Sequence, residues 1–257
     1  MSTASRGGTA PCAVILAAGI GRRLHDDTPG ARQGPKSLLA FGGRTLLARH
    51  VGILRAAGVE DITVVTGFCA AEVESALAAL PDGTSVRTIL NPEFREGSVV
   101  SLWCARDVLG AGVPVLLMDG DVLYDARLMA RLLDSPRADC LLLDRELEPG
   151  DEPVKICVAG NRIVDFHKRP TADHDWHGES VGFFRLSPAM AAELAGRAGD
   201  YVSSGRRNME YEEPLRDMML AHADRFGFED ITGLPWTEID FPADVEKAHA
   251  LLPELAA

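Results

Sequence analysis

Apolar positions in this chain follow two periods that take turns along the sequence. Ala13–Ala18 is an unbroken apolar run, as expected of a strand buried on both faces. Thr45–Ala57 then places Leu46, Leu47, His50, Val51 and Leu54 at helical spacing, and Gly58 stops the helix. The alternation continues with a strand at Asp61–Thr66, a helix at Ala70–Leu80 closed by Pro81-Asp82-Gly83, and a short strand at Val86–Leu90. Next come a helix at Ser98–Leu109, a buried strand at Val113–Met118, a helix at Asp125–Leu133 and a strand at Asp139–Leu143. This β-α-β-α order predicts an α/β fold with a doubly wound, mainly parallel sheet.

The second half has a different texture. Val154–Val158 and Arg162–Phe166 flank Gly160-Asn161 and read as a hairpin. A strand at Val181–Leu186 leads into a helix opened by Ser187-Pro188 and running to about Arg197. Glu213–His222 is helical, Trp236–Ile239 is a short strand, and Pro242–Leu252 is a last helix. No composition break marks a boundary, so residues 12–257 are expected to form one domain after a small, polar tail at 1–11. Its halves would be 12–145 for a nucleotide and 146–257 for an acceptor, with the second extending the same mixed sheet.

Of the 257 residues, 46% are hydrophobic, which is enough for a full core. Acidic residues outnumber basic ones 38 to 26, a net charge of −12 that excludes a general nucleic-acid binder or a protein that coats anionic membranes. No apolar run approaches the ~20 residues of a membrane span, and the tail lacks the apolar centre of a signal peptide. The five cysteines are scattered without a C-x-x-C pair, so neither a zinc site nor a disulfide framework is expected, and the setting reads as reducing and cytoplasmic.

Only four of the basic residues are lysines: Lys36, Lys155, Lys168 and Lys247. Where arginine is the default cation, each lysine merits individual inspection. Leu16-Ala17-Ala18-Gly19-Ile20-Gly21-Arg22-Arg23-Leu24 follows the first strand, where ligands of open parallel sheets bind; its glycines and arginines suit a phosphate, or a plain turn. Leu24 occupies the third glycine position of a dinucleotide fingerprint, and no acid follows at the required distance, which disfavours a nicotinamide-dependent oxidoreductase. Gly30–Ser37 imitates a Walker loop, but Pro35 interrupts it and no strand precedes it.

Asp119-Gly120-Asp121 emerges from a buried strand, where two carboxylates suit Mg²⁺ shared with substrate phosphates, or an Asp turn. In the alternating strand at 236–239, Trp236 and Glu238 share one face; Asp240 at its end could complete a metal site or cap the following helix. Glu210-Tyr211-Glu212-Glu213 is an acidic aromatic cluster which, with Trp103, Trp176 and Trp236, offers either an ammonium-binding cage or ordinary capping and packing. His25, His167, His174 and His177 sit in polar surroundings and are assigned no catalytic role.

Leu16–Leu24 followed by Pro35-Lys36 resembles the signature of GT-A-like nucleotidyltransferases, which have a Rossmann-like fold. Ser98–Trp103, Leu117–Asp121, Val181–Ser187, Tyr211–Glu213 and Pro235–Ala248 look like the small bacterial cytidylyltransferases that act on phosphocholine or aminoalkylphosphonates. The resemblance implies that Leu16, Ala17, Ala18 and Gly19 hold base and ribose, that Gly21, Arg22 and Arg23 grip the triphosphate, and that Lys36 neutralises the α-phosphate. It places Gly97 and Ser98 near the pyrimidine, Asp121 with Asp119 and Asp240 on Mg²⁺, and Lys168 on the acceptor phosphate. The His25–Gly34 stretch is longer than in some relatives, which leaves the local path of the triphosphate loop open.

CTP and a small phosphorylated or phosphonate acceptor are the implied partners, for a monomer or homodimer. Asparagine and glutamine, which suit sugar hydroxyls, number only three and one, favouring an amino-alcohol phosphate or aminoalkylphosphonate. The alternatives are a sugar-1-phosphate nucleotidyltransferase using UTP, GTP or dTTP, and a non-catalytic nucleotide sensor, which would be expected to lack Lys36 or the Asp121/Asp240 pair.

Overall fold

The first apolar run forms the centre of a sheet. In the computed structural model, which describes residues 9–26, 34–81, 86–147 and 152–255, β1 (Cys12–Ala17) is followed by α1 (Arg22–Asp26), the small ribbon β2 (Ala40–Phe41) and β3 (Arg44–Thr45), and α2 (Leu46–Ala56). Then come β4 (Ile62–Thr66), α3 (Ala70–Ala78), β5 (Arg87–Leu90), α4 (Ser98–Cys104), α5 (Arg106–Leu109), β6 (Val115–Asp119), β7 (Val122–Tyr124), α6 (Ala126–Asp134) and β8 (Asp139–Asp144). The second half contributes β9 (Lys155–Ala159), β10 (Arg162–His167), β11 (Trp176–Leu186), α7 (Pro188–Ser203), α8 (Glu212–Ala221), β12 (Phe226–Asp230), β13 (Trp236–Glu238) and α9 (Pro242–Leu251). Most of the expected tail, the Asp82-Gly83 turn and most of the His25–Gly34 stretch lie outside the described residues.

The main sheet runs β10-β9-β11-β6-β1-β4-β5, with β8 paired to β11 and β12 to β8. The pairs β6-β1, β1-β4, β4-β5 and β8-β12 are parallel, whereas β11 is antiparallel to β6, β8 and β9. Strands from both halves of the chain share this sheet, and β11 is the seam that joins the parallel β6-β1-β4-β5 set to the β9-β10 hairpin. Alternate residues of β1 feed opposite cores. Val14 packs with Leu117, Phe184 and helices α4, α5, α7 and α8; Ile15 packs with Met118, Phe183 and helices α2, α3 and α6. Two covered faces explain why the strands read as continuous apolar runs.

Several boundaries differ from the sequence reading. The expected helix at 98–109 breaks at Ala105 (φ −82°, ψ 5°), where Arg106 donates to the Trp103 carbonyl at 3.2 Å. Helix α7 runs through Gly196 and Gly199 to Ser203, because Gly199 receives the Trp103 ring: a Cβ there would lie 2.8 Å from Trp103 Cζ3. Strand β11 begins five residues early, at Trp176, because residues 176–179 pair with β9. Short strands β2, β3, β7 and β12 and helix α1 have no sequence expectation behind them.

Candidate active site

The carboxyl ends of β1 and β6 meet a loop, a buried lysine and a second ribbon. Gly120 donates its amide to the Leu16 carbonyl at 3.0 Å, and a Cβ on it would lie 2.8 Å from that oxygen, so the chain after β6 can close on β1 only with glycine there. Gly21 (φ +67°) lies over the Lys36 side chain, 2.9 Å from a would-be Cβ to Lys36 Cγ. The glycine loop thus rests on the lysine stem, and Lys36 rises beneath it toward the acids.

Those acids are gathered by the ribbon of β7 and β13. Glu238 pairs with Val122, and Ile239 donates its amide to the Asp121 carbonyl at 3.0 Å. One carboxylate oxygen each from Asp121, Glu238 and Asp240 then lie within 4.8 Å of one another. Lys36 Nζ donates to Asp240 at 2.5 Å and to Asp121 at 3.1 Å; Arg23 pairs with Asp240 at 2.7 Å and Glu152 at 3.0 Å. Burial opposes the charge on Lys36, but Asp121 and Asp240 outweigh it and hold the ammonium above its ordinary value. Burial likewise opposes ionisation of Asp240, and Lys36 and Arg23 overcome it, keeping that carboxyl below its ordinary value. Asp240 does not cap α9. Asp244 does so, accepting from the amides of Asp240 at 2.8 Å and Phe241 at 2.6 Å, which leaves the Asp240 carboxylate facing the cations.

Glu238 is the member of this group that sequence reasoning missed. The signal was present: residues 236, 238 and 240 share one face of an extended strand. Asp119, expected on the metal, stands apart from the three. Its Oδ2 accepts from the Tyr211 hydroxyl at 2.7 Å, and burial followed by the charge of Asp121 pushes its carboxyl well above the usual range. Gly182, at a bulge in β11 with φ +76°, makes room for that carboxylate: a Cβ would sit 2.0 Å from Asp119 Oδ2. Gly182→Ala combines left-handed backbone strain of about 1–2 kcal/mol with this overlap. It is expected to destabilise the chain by about 3 kcal/mol, lowering the melting temperature by roughly 6–12 °C in a thermal denaturation scan.

A cleft of about 400 Å³ opens over this group. Of the expected nucleotide-binding residues, Leu16, Ala18, Gly19, Gly21, Arg22, Arg23 and Ser98 line it, together with Phe94 and Arg95, which carried no sequence signal of their own. Ala17 and Lys36 line a smaller adjoining recess. Gly97 lies between Glu96 and Ser98, which line the cleft; its amide donates to the Arg207 carbonyl at 2.8 Å, and a Cβ on it would lie 2.1 Å from the Met209 carbonyl oxygen, so it packs backbone to backbone against the 207–209 segment.

The expected acceptor residues divide similarly. Lys168, Glu210, Tyr211 and Glu212 line the cleft. Lys168 pairs with Glu152 at 3.2 Å, and Lys155 Nζ donates to the Lys168 carbonyl at 3.0 Å. Ser98 donates its hydroxyl to Glu210 at 2.6 Å and accepts from the Tyr211 amide at 2.8 Å. Glu212 Oε2 is buried without a hydrogen-bond partner among the described residues, and burial pushes its carboxyl up to about 7. Trp103 is not at the cleft, since it packs on Gly199 and under the Arg106 guanidinium at 4.6 Å. Glu213 points away to His167 Nε2 at 3.3 Å, Trp176 packs on Phe228, and Trp236 donates to Asp144 at 2.7 Å. No aromatic cage forms from the tryptophans, because each is taken up by packing or by an internal partner.

Comparison with known proteins adds four findings. The family model described as "MobA-like NTP transferase domain" matches residues 13–181, more than half of the chain. The CMP-5'-(3-aminopropyl)phosphonate synthase of Streptomyces rubellomurinus is 27% identical over 242 residues, covering 92% of this chain and 38% of that protein. The bifunctional IPC transferase and DIPP synthase of Rubrobacter xylanophilus is 30% identical over 250 residues, covering 95% of this chain and 52% of that protein. The chain therefore spans 38% and 52% of the length of these two curated relatives. Its fold is that of the CTP:phosphocholine cytidylyltransferase from Streptococcus pneumoniae, with a TM-score of 0.73 and 20% identity, covering 95% of this chain and 100% of that one.

Proposed function

This chain belongs to the MobA-like NTP transferase domain family, and from that premise we propose that it transfers CMP from CTP to a small zwitterionic phosphate or phosphonate, releasing pyrophosphate. The observation that carries the reading is one cleft in which Arg23 and Lys168 face Asp121, Glu238 and Asp240, with Lys36 lodged beneath the glycine loop. The names of relatives and fold neighbours that handle CTP or CMP support the choice of nucleotide.

The three carboxylates fit a hard divalent cation: their oxygens are close enough to share one, and the ammonium of Lys36 already lies between two of them. Asp121, Glu238 and Asp240 would hold Mg²⁺, which when bound supplies charge neutralisation for the triphosphate. The protein's own part follows from electrostatics. Phosphate monoesters have a second pKa near ~6, so the attacking oxygen is ionised at neutral pH and needs no general base. The obstacle is repulsion between two anions. Lys36 offers positive charge at the α-phosphorus, Arg23 along the triphosphate and Lys168 at the acceptor, all fixed before reaction.

Lys168 and Glu212 together suit an acceptor with an anionic and an ammonium end. Glu212 pays a desolvation cost that an arriving ammonium would offset. The test is pyrophosphate release with each of four nucleoside triphosphates against phosphocholine, 2-aminoethylphosphonate and glucose 1-phosphate. CTP with an amine-bearing acceptor is expected to give turnover; turnover confined to glucose 1-phosphate would overturn the acceptor class. Glu212→Gln should lower kcat/KM for the amine-bearing acceptor by roughly 10–100-fold and leave the KM for CTP within about twofold. An unchanged acceptor constant removes Glu212 from the site.

A further inference from the structure

Asp165 lies outside the cleft, yet it organises both of the segments that bring charge to the acceptor. It is fully buried in β10, at a register shift against β9 between Ile163 and Asp165. A buried carboxylate is costly unless it is paired and hydrogen-bonded, and this one is saturated. Its Oδ1 accepts from the Arg216 Nε at 2.7 Å and the Phe166 amide at 2.9 Å; its Oδ2 accepts from the amides of Thr171 at 3.0 Å and Ala172 at 3.3 Å.

The geometry of these bonds is directional. Phe166 and Thr171 bracket Lys168, so a single carboxylate ties both ends of the loop that carries this lysine. Lys155 secures the carbonyl of Lys168 from β9. Arg216 lies on α8 one turn beyond Glu212, at the i+4 spacing that places two side chains on one helix face. The Asp165–Arg216 bond therefore joins the loop bearing the cation to the helix bearing the anion. A pair retained for stability alone could be replaced by apolar packing; this one links two parts of a charged site.

We propose that Asp165 is a positioning residue, held by Arg216, that sets the separation of Lys168 and Glu212 and so selects an acceptor with oppositely charged ends. The inference rests on the acceptor reading above and is tested by two readouts, one of which is independent of activity. In the first, wild type, Asp165→Asn, Arg216→Ala and Arg216→Lys are assayed with CTP and either 2-aminoethylphosphonate or ethylphosphonate, which lacks the amine. Misplacement by about 1 Å can cost ~10²-fold in rate. Asp165→Asn and Arg216→Ala should raise the KM for 2-aminoethylphosphonate by roughly 10–100-fold and leave that for CTP within about twofold. The preference for the amine-bearing acceptor should fall toward parity, and Arg216→Lys should recover part of it. A KM that rises equally for both substrates, or an unchanged preference, overturns the proposal.

The second readout uses the scarcity of lysine. A lysine-specific protease has only four sites in this chain. Cleavage after Lys168, relative to Lys247, should be about tenfold faster in Asp165→Asn than in wild type, because local opening of the loop becomes easier. An unchanged ratio overturns the proposal. Arg216→Ala keeps the amide bonds to Asp165, so it reports on the tie to α8 even if Asp165→Asn fails to fold. Absence of wild-type turnover with any phosphonate or amino-alcohol phosphate would count against the acceptor reading, while the protease ratio still decides the role of Asp165.

Discussion

Replacing Lys36 by alanine is expected to reduce turnover by about 10²–10³-fold, the range for loss of one fixed charge or donor aimed at the reacting group. The same variant should also be less stable without metal, for the same physical reason. Lys36 lies between Asp121 and Asp240, with its side chain 13% exposed and theirs 25% and 24%. Its removal leaves clustered carboxylates with little compensation beyond Arg23. Loss of one partner from a buried pair costs about 3–5 kcal/mol; partial solvation of these acids reduces that to about 2–4 kcal/mol. Differential scanning calorimetry should show the deficit in chelator and its partial recovery in millimolar Mg²⁺. The lysine value is raised in the fold, so its stabilisation is complete below the unfolded value of 10.5 and is lost only as pH rises through the higher folded value. The deficit of Lys36→Ala from this source should therefore be flat between about pH 6 and 9. Near-normal turnover in Lys36→Ala would remove the residue from the chemistry.

Asp121→Asn should have a comparable effect on turnover and only a small effect on stability. A divalent cation contributes several kcal/mol of transition-state charge stabilisation, so chelation should abolish pyrophosphate release. The substitution should raise the Mg²⁺ concentration for half-maximal activity by about 10–100-fold, matching the sensitivity of metal sites to lost ligands and their supports. In the metal-free chain, removing one of three neighbouring carboxylates relieves repulsion while it forfeits one contact of Lys36. The two effects nearly offset, and the melting temperature should move by less than about 4 °C. Activity that persists unchanged in chelator, or a Mg²⁺ requirement the same as in wild type, would remove the carboxylate group from metal binding.

The fold was legible wherever burial imposed a period on the sequence. β1, β4, β6 and β8 are continuous apolar runs because both faces are covered, and α2 shows its apolar stripe because only one face is. Reading failed where pairing replaces burial. The start of β11, Trp176-His177-Gly178-Glu179, carries no apolar alternation and is fixed by its pairing with β9, and β7 is a three-residue element whose partner lies more than a hundred positions away. Within the candidate site, the residues after β1 and β6 could be placed at the cleft from the sequence because the carboxyl ends of parallel strands open onto it. Glu238 was missed although its neighbour Asp240 was chosen and the alternation linked them. Trp103 was misplaced because residue type suggests what a group could bind, whereas only the fold reveals that a helix glycine, Gly199, already receives its ring.

The seam at β11 has an evolutionary consequence. The parallel strands on one side carry the glycine loop and Lys36, while the antiparallel strands and α8 on the other carry Lys168, Glu210 and Glu212. Inheritance can therefore act on the two sides separately. In the proposed reaction, substitutions on β9, β10 and α8 would retune the acceptor while the parallel side keeps the nucleotide. The constraint is concentrated at the seam itself, where Gly182 and Asp119 leave no room for change. In a lineage that diversifies its acceptors, drift should accumulate on the antiparallel flank and be scarce at that glycine.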